Sequence, residues 1–241
     1  MQPYNQYCPV ARASEVLGDR WTILIMREMI LGSRRFNEIE RGLPGISRSL
    51  LASRLRDLQR SGVIERLPGA VHATEYHLTE AGRDLKSVIE ALGAWGVNWA
   101  FDDPTPAEMD AGLVMWKVHQ RIDRNLLPER RTVVEFDFTG PRPQRVWLVL
   151  EPSEVSVCVT PPRFESDLVV RTSLPYFLQL WFGRVDFDTA LRCGAVVLQG
   201  PPDLAMQFPK WLRWSPMARF VREREQRRHA IAVSAPAESL A

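Results

Sequence analysis

The chain has few of the residues that most enzymatic or metal chemistry needs. Its three cysteines, Cys8, Cys158 and Cys193, are odd in number and far apart. They form no CxxC pair and no zinc-ligand spacing, which leaves no metal site to expect. The four histidines, His72, His77, His119 and His229, are scattered. No GxSxG, HExxH or phosphate-loop pattern occurs, so neither a catalytic set nor a cofactor is expected, and the chain does not read as an enzyme. The first ten residues lack a basic segment followed by an apolar one, so no signal peptide is expected at this end. No apolar run approaches the length of a membrane span. These absences point to a cytoplasmic protein without a membrane partner. Net charge is also small, +2 from 31 basic and 29 acidic residues. Any attraction to a polyanion must therefore come from a local patch.

What is present is an ordinary globular composition in two textures. A length of 241 residues allows one or two domains, with enough chain to bury a proper core. Residues 1–101 read as mostly helical. Pro9 opens a helix with an apolar stripe of Val10, Ala13, Val16 and Leu17. A nearly all-apolar helix over Trp21–Leu31 is expected at the centre of the domain. Phe36, Ile39 and Leu43 mark about two further turns, stopped by Pro44-Gly45. Ser47 is placed to cap a helix reaching Arg60, with Gly62 as its stop. Val63–Leu67 and Thr74–Leu78 read as paired strands, and a long helix follows from Ala81 to about Phe101. Residues 102–106, Asp-Asp-Pro-Thr-Pro, are the expected linker.

The stretch Arg34–Arg60 is where the patch lies. Seven arginines against three carboxylates give it a local net charge of +4. At ~100° per residue, Leu50, Leu51, Leu55 and Leu58 gather on one side of the Ser47–Arg60 helix. Ser49, Ala52, Ser53, Arg56 and Arg60 gather on the other, with Arg48 on the flank. Small residues allow close approach to base edges, and arginine forks match guanine and phosphate geometry. Arg48, Ser49, Ala52, Ser53 and Arg56 are the expected base contacts. Arg34, Arg35, Arg60, Arg66 and His72 are the expected phosphate contacts. The competing reading is an ordinary solvated helix face.

Several motifs carry a family resemblance over residues 8–100. They are Cys8-Pro-Val, Leu17-Gly-Asp-Arg-Trp-Thr-Ile-Leu-Ile, Arg35-Phe-Asn-Glu-Ile, Leu43-Pro-Gly-Ile-Ser, Arg54-Leu-Arg-Asp-Leu, Gly62-Val-Ile-Glu-Arg, Glu75-Tyr-His-Leu-Thr and Ala81-Gly. In order and spacing the segment resembles the HxlR family of bacterial winged-helix regulators. The resemblance implies binding of double-stranded DNA at a two-fold operator by a homodimer joined through the first helix and the long helix. The Pro68–Ala73 turn is short for that family's wing. Independently, the apolar face of Leu85, Ile89, Leu92 and Trp95 exceeds what a small wing can cover. It can meet a second copy or pack within one subunit. Some members of the family resemble thiol sensors with a cysteine at the position of Cys8. The alternative is a small residue packed at a dimer seam. Cys158 and Cys193 read as structural.

Residues 107–229 read as α+β, which makes the whole chain α+β. The expected order is a helix (Ala107–Leu127), strands at Val134–Phe138, Arg145–Glu151, Val155–Val159 and Leu168–Arg171, a helix (Leu174–Phe182), a strand (Ala195–Leu198) and a helix (Asp203–Trp214). A disordered tail is expected over 230–241. The order, with Cys193-Gly-Ala-Val-Val-Leu-Gln-Gly200 followed by Pro201-Pro-Asp-Leu-Ala, resembles the sterol carrier protein family over residues 107–215. That resemblance implies an apolar small-molecule ligand, with Trp147, Val157, Phe177, Trp181 and Phe208 as lining. The bland alternative is a packed aromatic core. A lipid carrier using its winged helix for protein contacts is the rival to a DNA-binding regulator.

Overall fold

A computed structural model of the protein describes residues 4–69 and 74–234. The chain forms two compact units, residues 1–92 and 93–241.

The first unit begins with α1 (Pro9–Leu17), α2 (Thr22–Ile30), α3 (Phe36–Arg41) and α4 (Arg48–Arg60). The hairpin of β1 (Ile64–Pro68) and β2 (Thr74–Leu78) follows, and then α5 (Glu80–Trp99), which continues into the second unit. β1 and β2 are antiparallel, with Ile64 opposite Leu78. α2 does lie at the centre, with Ile25 and Met26 fully buried against Ile39, Leu43, Leu51, Leu55 and Leu58. The α1 stripe is only partly covered. Ala11 is buried, whereas Val10 and Ala13 are exposed. Leu85 and Ile89 of α5 pack on this core, while Val88 and Leu92 face outward.

Three residues fix the join between wing and long helix. Gly62 takes a left-handed φ of 74° after α4, a conformation that glycine adopts without steric cost. At Gly82, a Cβ would lie 2.2 Å from the Val63 carbonyl oxygen. The start of α5 therefore touches the backbone entering β1. Thr79 bolts the same point, donating its hydroxyl toward the Gly62 and Val63 carbonyls at 2.7 and 2.9 Å.

The second unit contains α6 (Ala111–His119), β3 (Thr132–Thr139), β4 (Gln144–Leu150), β5 (Val155–Cys158), β6 (Leu168–Ser173), α7 (Leu174–Trp181), α8 (Phe187–Arg192), β7 (Val196–Gln199), α9 (Pro202–Trp211) and α10 (Ala218–Ser234). The five strands form one mixed sheet in the order β5-β4-β3-β6-β7. β3 and β6 are parallel and the other neighbours antiparallel. One face of the sheet presents Val134, Phe136, Phe138, Leu148, Val157 and Val170 to residues of α6, α7, α8 and α9. Period-two alternation sends Val133, Trp147 and Val149 to the other face, where they form a separate small cluster.

Four expectations change. The single helix expected over Ala107–Leu127 is shorter, because Asp110 caps α6 by accepting from the Leu113 N–H at 3.0 Å. Beyond His119 the chain leaves the helix to pair with the end of α9. Ile122 bridges Leu212, and the Asp123 N–H donates to the Trp211 carbonyl at 2.8 Å. A short 3-10 turn, Arg124–Leu126, follows. Two helices, α8 and α10, have no counterpart in the sequence reading. α8 is only six residues, capped by Asp186. α10 buries a narrow stripe, Ala218, Val221 and Arg224, too thin to show as a periodic apolar face. It runs to Ser234, so residues 230–234 of the expected disordered tail are helical. Finally, the division between units falls inside α5 and not at residues 102–106. The far half of α5 is held by α10, with Arg227 donating to Asn98 at 2.8 Å and Arg224 to the Phe101 carbonyl at 2.6 Å.

Candidate nucleic-acid interface

α4 is a 13-residue helix whose N-cap, Ser47, accepts from the Leu50 N–H at 3.3 Å. Leu51, Leu55 and Leu58 are buried and anchor it. The opposite side carries Ser49 and Arg56, both exposed, with Ala52 and Ser53 half-buried between them. Five expected base contacts thus lie on or beside one open helical face.

Arg48 stands apart from the others. Its guanidinium pairs with Glu40, donates to the side-chain carbonyl oxygen of Asn37 at 3.2 Å, and lies over the Phe36 ring at 4.8 Å. Asn37 and Glu40 did not emerge from the sequence as site residues. They lie eleven and eight positions away on another helix, and helical periodicity carries no signal over that separation.

The expected phosphate contacts are distributed around this face. Arg34 and Arg35 are exposed at the start of α3. Glu38 fixes their backbone by accepting from the Arg34 and Arg35 N–H groups at 2.8 and 2.9 Å. Arg35 also lies 3.5 Å from Glu75 of the hairpin. Arg60 is exposed and pairs with Asp57. Burial alone would raise the Asp57 pKa, but the Arg60 hydrogen bond and charge, with help from Arg54, hold it below the ordinary value. Arg66 on β1 donates to Thr74 at 3.1 Å. His72 lies outside the described residues. Arg54, which the face does not use, ties α4 to Asp19 ahead of α2 at 2.5 Å.

Cys8 is half-buried immediately before α1 and forms no disulfide. Cys193 is exposed. Its thiol lies 3.5 Å from the Tyr176 hydroxyl, and that hydrogen bond holds its pKa below the usual thiol range.

Four of the five residues expected to line an apolar site, Val157, Phe177, Trp181 and Phe208, do share the helix-covered core. Trp147 does not; it faces the other side of the sheet beside Val133 and Val149. The shared core is tightly filled, with Phe136 5.6 Å from Phe177 and 5.9 Å from Phe208, both edge to face. Concave space lies on the other flank of α7. A cavity of about 630 Å³ there is lined by residues that include Phe101, Met109, Leu178, Phe182 and Arg184. Among the described residues, no helix is long and apolar enough to cross a membrane.

Comparison with known proteins bears on the first unit. A helix-turn-helix protein of Mycobacterium tuberculosis, named as a transcriptional regulator, is 49% identical over 89 residues, which is 36% of this chain and 56% of that protein. The chain thus spans little more than half the length of that relative. The regulator YvaP of Bacillus subtilis is 35% identical over 98 residues, 39% of this chain and 91% of YvaP. Among solved structures, the reduced form of the transcriptional regulator YodB from Bacillus subtilis is 35% identical. It covers 39% of this chain and 96% of its own, with a TM-score of 0.35. Residues 16–103 match the HxlR-like helix-turn-helix family, and through that N-terminal segment the chain belongs to it.

Proposed function

We propose that the protein is a transcriptional regulator that binds a two-fold DNA operator as a homodimer. The observation that carries this reading is the α4 face. Ser49 and Arg56 stand open on a rod anchored by Leu51, Leu55 and Leu58, within a segment of local net charge +4. A helix of that build, followed by a hairpin, suits insertion into the major groove. Arg48, Ser49, Ala52, Ser53 and Arg56 then meet base edges, while Arg34, Arg35, Arg60 and Arg66 meet phosphates. His72 belongs to the same phosphate set by its place in the sequence. Val88, Leu92, Trp95 and Trp99 are exposed at helical spacing along α5. They supply a self-complementary seam for the second copy.

Selection of duplexes from a random pool with the full chain tests the reading. A two-fold enriched site is expected, and Arg56→Ala is expected to relax preference at one position of each half-site. A pool with no enriched sequence overturns it. Unchanged preference in Arg56→Ala removes the base-contact assignment alone.

The second unit supports a ligand reading at the level of its element order. Helix, four strands, helix, strand and helix follow the order on which the sterol-carrier resemblance rests, with the short α8 added between α7 and β7. An apolar ligand would enter beside α7 and open the Val157, Phe177, Trp181 and Phe208 packing. It would alter DNA affinity only through unequal affinity for the dimer's states. Titration of a fluorescent fatty-acid probe with and without operator tests this, and equal affinities remove the coupling. A redox role for Cys8 rests on its half-buried place ahead of α1; operator affinity unchanged by peroxide treatment would end it.

A further inference from the structure

Arg48 is the one expected base contact whose side chain is already held from three directions within its own unit. Glu40 pairs with one terminal nitrogen of the guanidinium, the other donates to Asn37 at 3.2 Å, and the plane lies over Phe36 at 4.8 Å. All three partners belong to α3, the helix that precedes the turn into α4. The side chain remains 65% exposed, so the clamp holds it at the surface and does not bury it. Each terminal nitrogen carries two N–H groups, and one on each is left after these contacts.

Two physical consequences follow. First, an exposed arginine ordinarily gives up much rotamer freedom when it docks in a groove. Here three contacts already restrain the side chain before any duplex arrives, and the fork is presented as a plane held against α3. A bidentate donor of this kind matches the paired acceptors on the major-groove edge of guanine. Second, Glu40 cancels the charge of Arg48 locally. An arginine that serves by neutralising a phosphate displaces counterions, and its removal lowers the salt dependence of binding. A neutralised arginine loses that role and keeps its hydrogen-bond geometry. Among the described residues, Arg34, Arg35 and Arg56 meet no such triple clamp, and they remain suited to mobile or electrostatic roles.

We propose that Asn37, Glu40 and Phe36 are positioning residues that preset Arg48 as a guanine reader, making the α3–α4 pair and not α4 alone the specificity element. The proposal rests on the DNA-binding reading above and adds a sequence preference to it: a guanine at one position of each half-site. Glu40 contributes specificity at the expense of raw affinity, because it repels the phosphate backbone while it steers its arginine.

The test uses the full chain in duplex selection and in salt titrations of operator and random DNA. Wild type is expected to enrich a guanine that Arg48→Ala and Arg48→Lys both lose, roughly ten- to hundredfold at that position. Arg48→Ala should leave the salt slope almost unchanged. Glu40→Gln frees the charge and is expected to tighten binding to random DNA, to steepen the salt slope by about one phosphate contact (~0.9), and to narrow the ratio of operator to random affinity. Asn37→Ala should narrow the same ratio without the change in slope. Melting curves for each variant separate these effects from loss of fold. Glu40→Gln that alters neither the ratio nor the slope while folding normally overturns the positioning role. So does Arg48→Ala that weakens all sequences uniformly and lowers the slope by about one contact (~0.9). A wild type that enriches no sequence overturns the DNA reading itself and the proposal with it, an outcome distinct from the first two.

Discussion

At the scale of single residues, the chemistry of this chain is set by which side chains a neighbour restrains. Cys193 and Cys8 illustrate the contrast. Cys193 is exposed, and the Tyr176 hydrogen bond favours its thiolate; Cys8 is half-buried ahead of a helix. Thiolates are the reactive form. Cys193 is therefore expected to alkylate fastest of the three cysteines at neutral pH, and Tyr176→Phe is expected to slow it. Time-resolved labelling with iodoacetamide, read by mass spectrometry of peptides, checks both. Gly82 shows the opposite kind of restraint. A methyl group there meets a backbone carbonyl at 2.2 Å, which cannot yield as a flexible side chain would. Gly82→Ala is expected to destabilise the first unit by about 1–3 kcal/mol, the cost typical of overpacking, measured by denaturant unfolding.

At the scale of elements, caps and stripes decide where helices begin and which way they face. The α4 helix was legible because its cap, its leucine spacing and its glycine stop are all local. Leu55→Ala removes its central anchor, which is 1% exposed, and is expected to cost about 2–5 kcal/mol in unfolding experiments. α8 depends on its cap. Asp186 accepts from the Thr189 N–H and hydroxyl, both at 2.7 Å. These hydrogen bonds, the backbone one first, hold its carboxyl below the ordinary 3.8. A depressed folded value means that the cap stabilises above the unfolded pKa and fades as pH falls through the folded one. The melting difference between wild type and Asp186→Asn should thus be full at neutral pH and shrink well below pH 3.8. A difference constant down to that range would count against the cap. The sequence missed α8 and α10 for the same reason it found α4. A six-residue helix and a helix with a one-residue-wide stripe give periodicity too little to work with.

At the scale of the whole molecule, net charge and exposed apolar surface govern what the protein meets. With a total charge of only +2, the DNA binding proposed above would draw on the Arg34–Arg60 patch and is expected to weaken steeply with salt. A lipid carrier that used the hairpin for protein contacts would show no such slope in its ligand binding. Along α5, Trp95 and Trp99 are 59% and 76% exposed, an uncommon state for so large an apolar side chain. Trp95→Glu is expected to shift a dimer to monomer in sedimentation analysis and to weaken operator binding, since a lone half-site holds fewer phosphates. A wild-type chain that sediments as a monomer at working concentrations would remove the seam.

The sequence by itself determined the winged helix-turn-helix, the buried α2, the open face of α4 and the α+β character of the second half. Each of these rests on spacing within one element: leucines three and four apart, strand residues in alternation, a capping serine, a glycine past a helix end. Tertiary structure alone decided the rest. It turned Trp147 away from Val157, because sheet register sets which parity faces the helices. It ended α6 early, because residues 122 and 123 pair with the end of α9. It also brought Phe36, Asn37 and Glu40 around Arg48. Contacts between elements have no period along the chain, and the folded packing that creates them is what makes them visible.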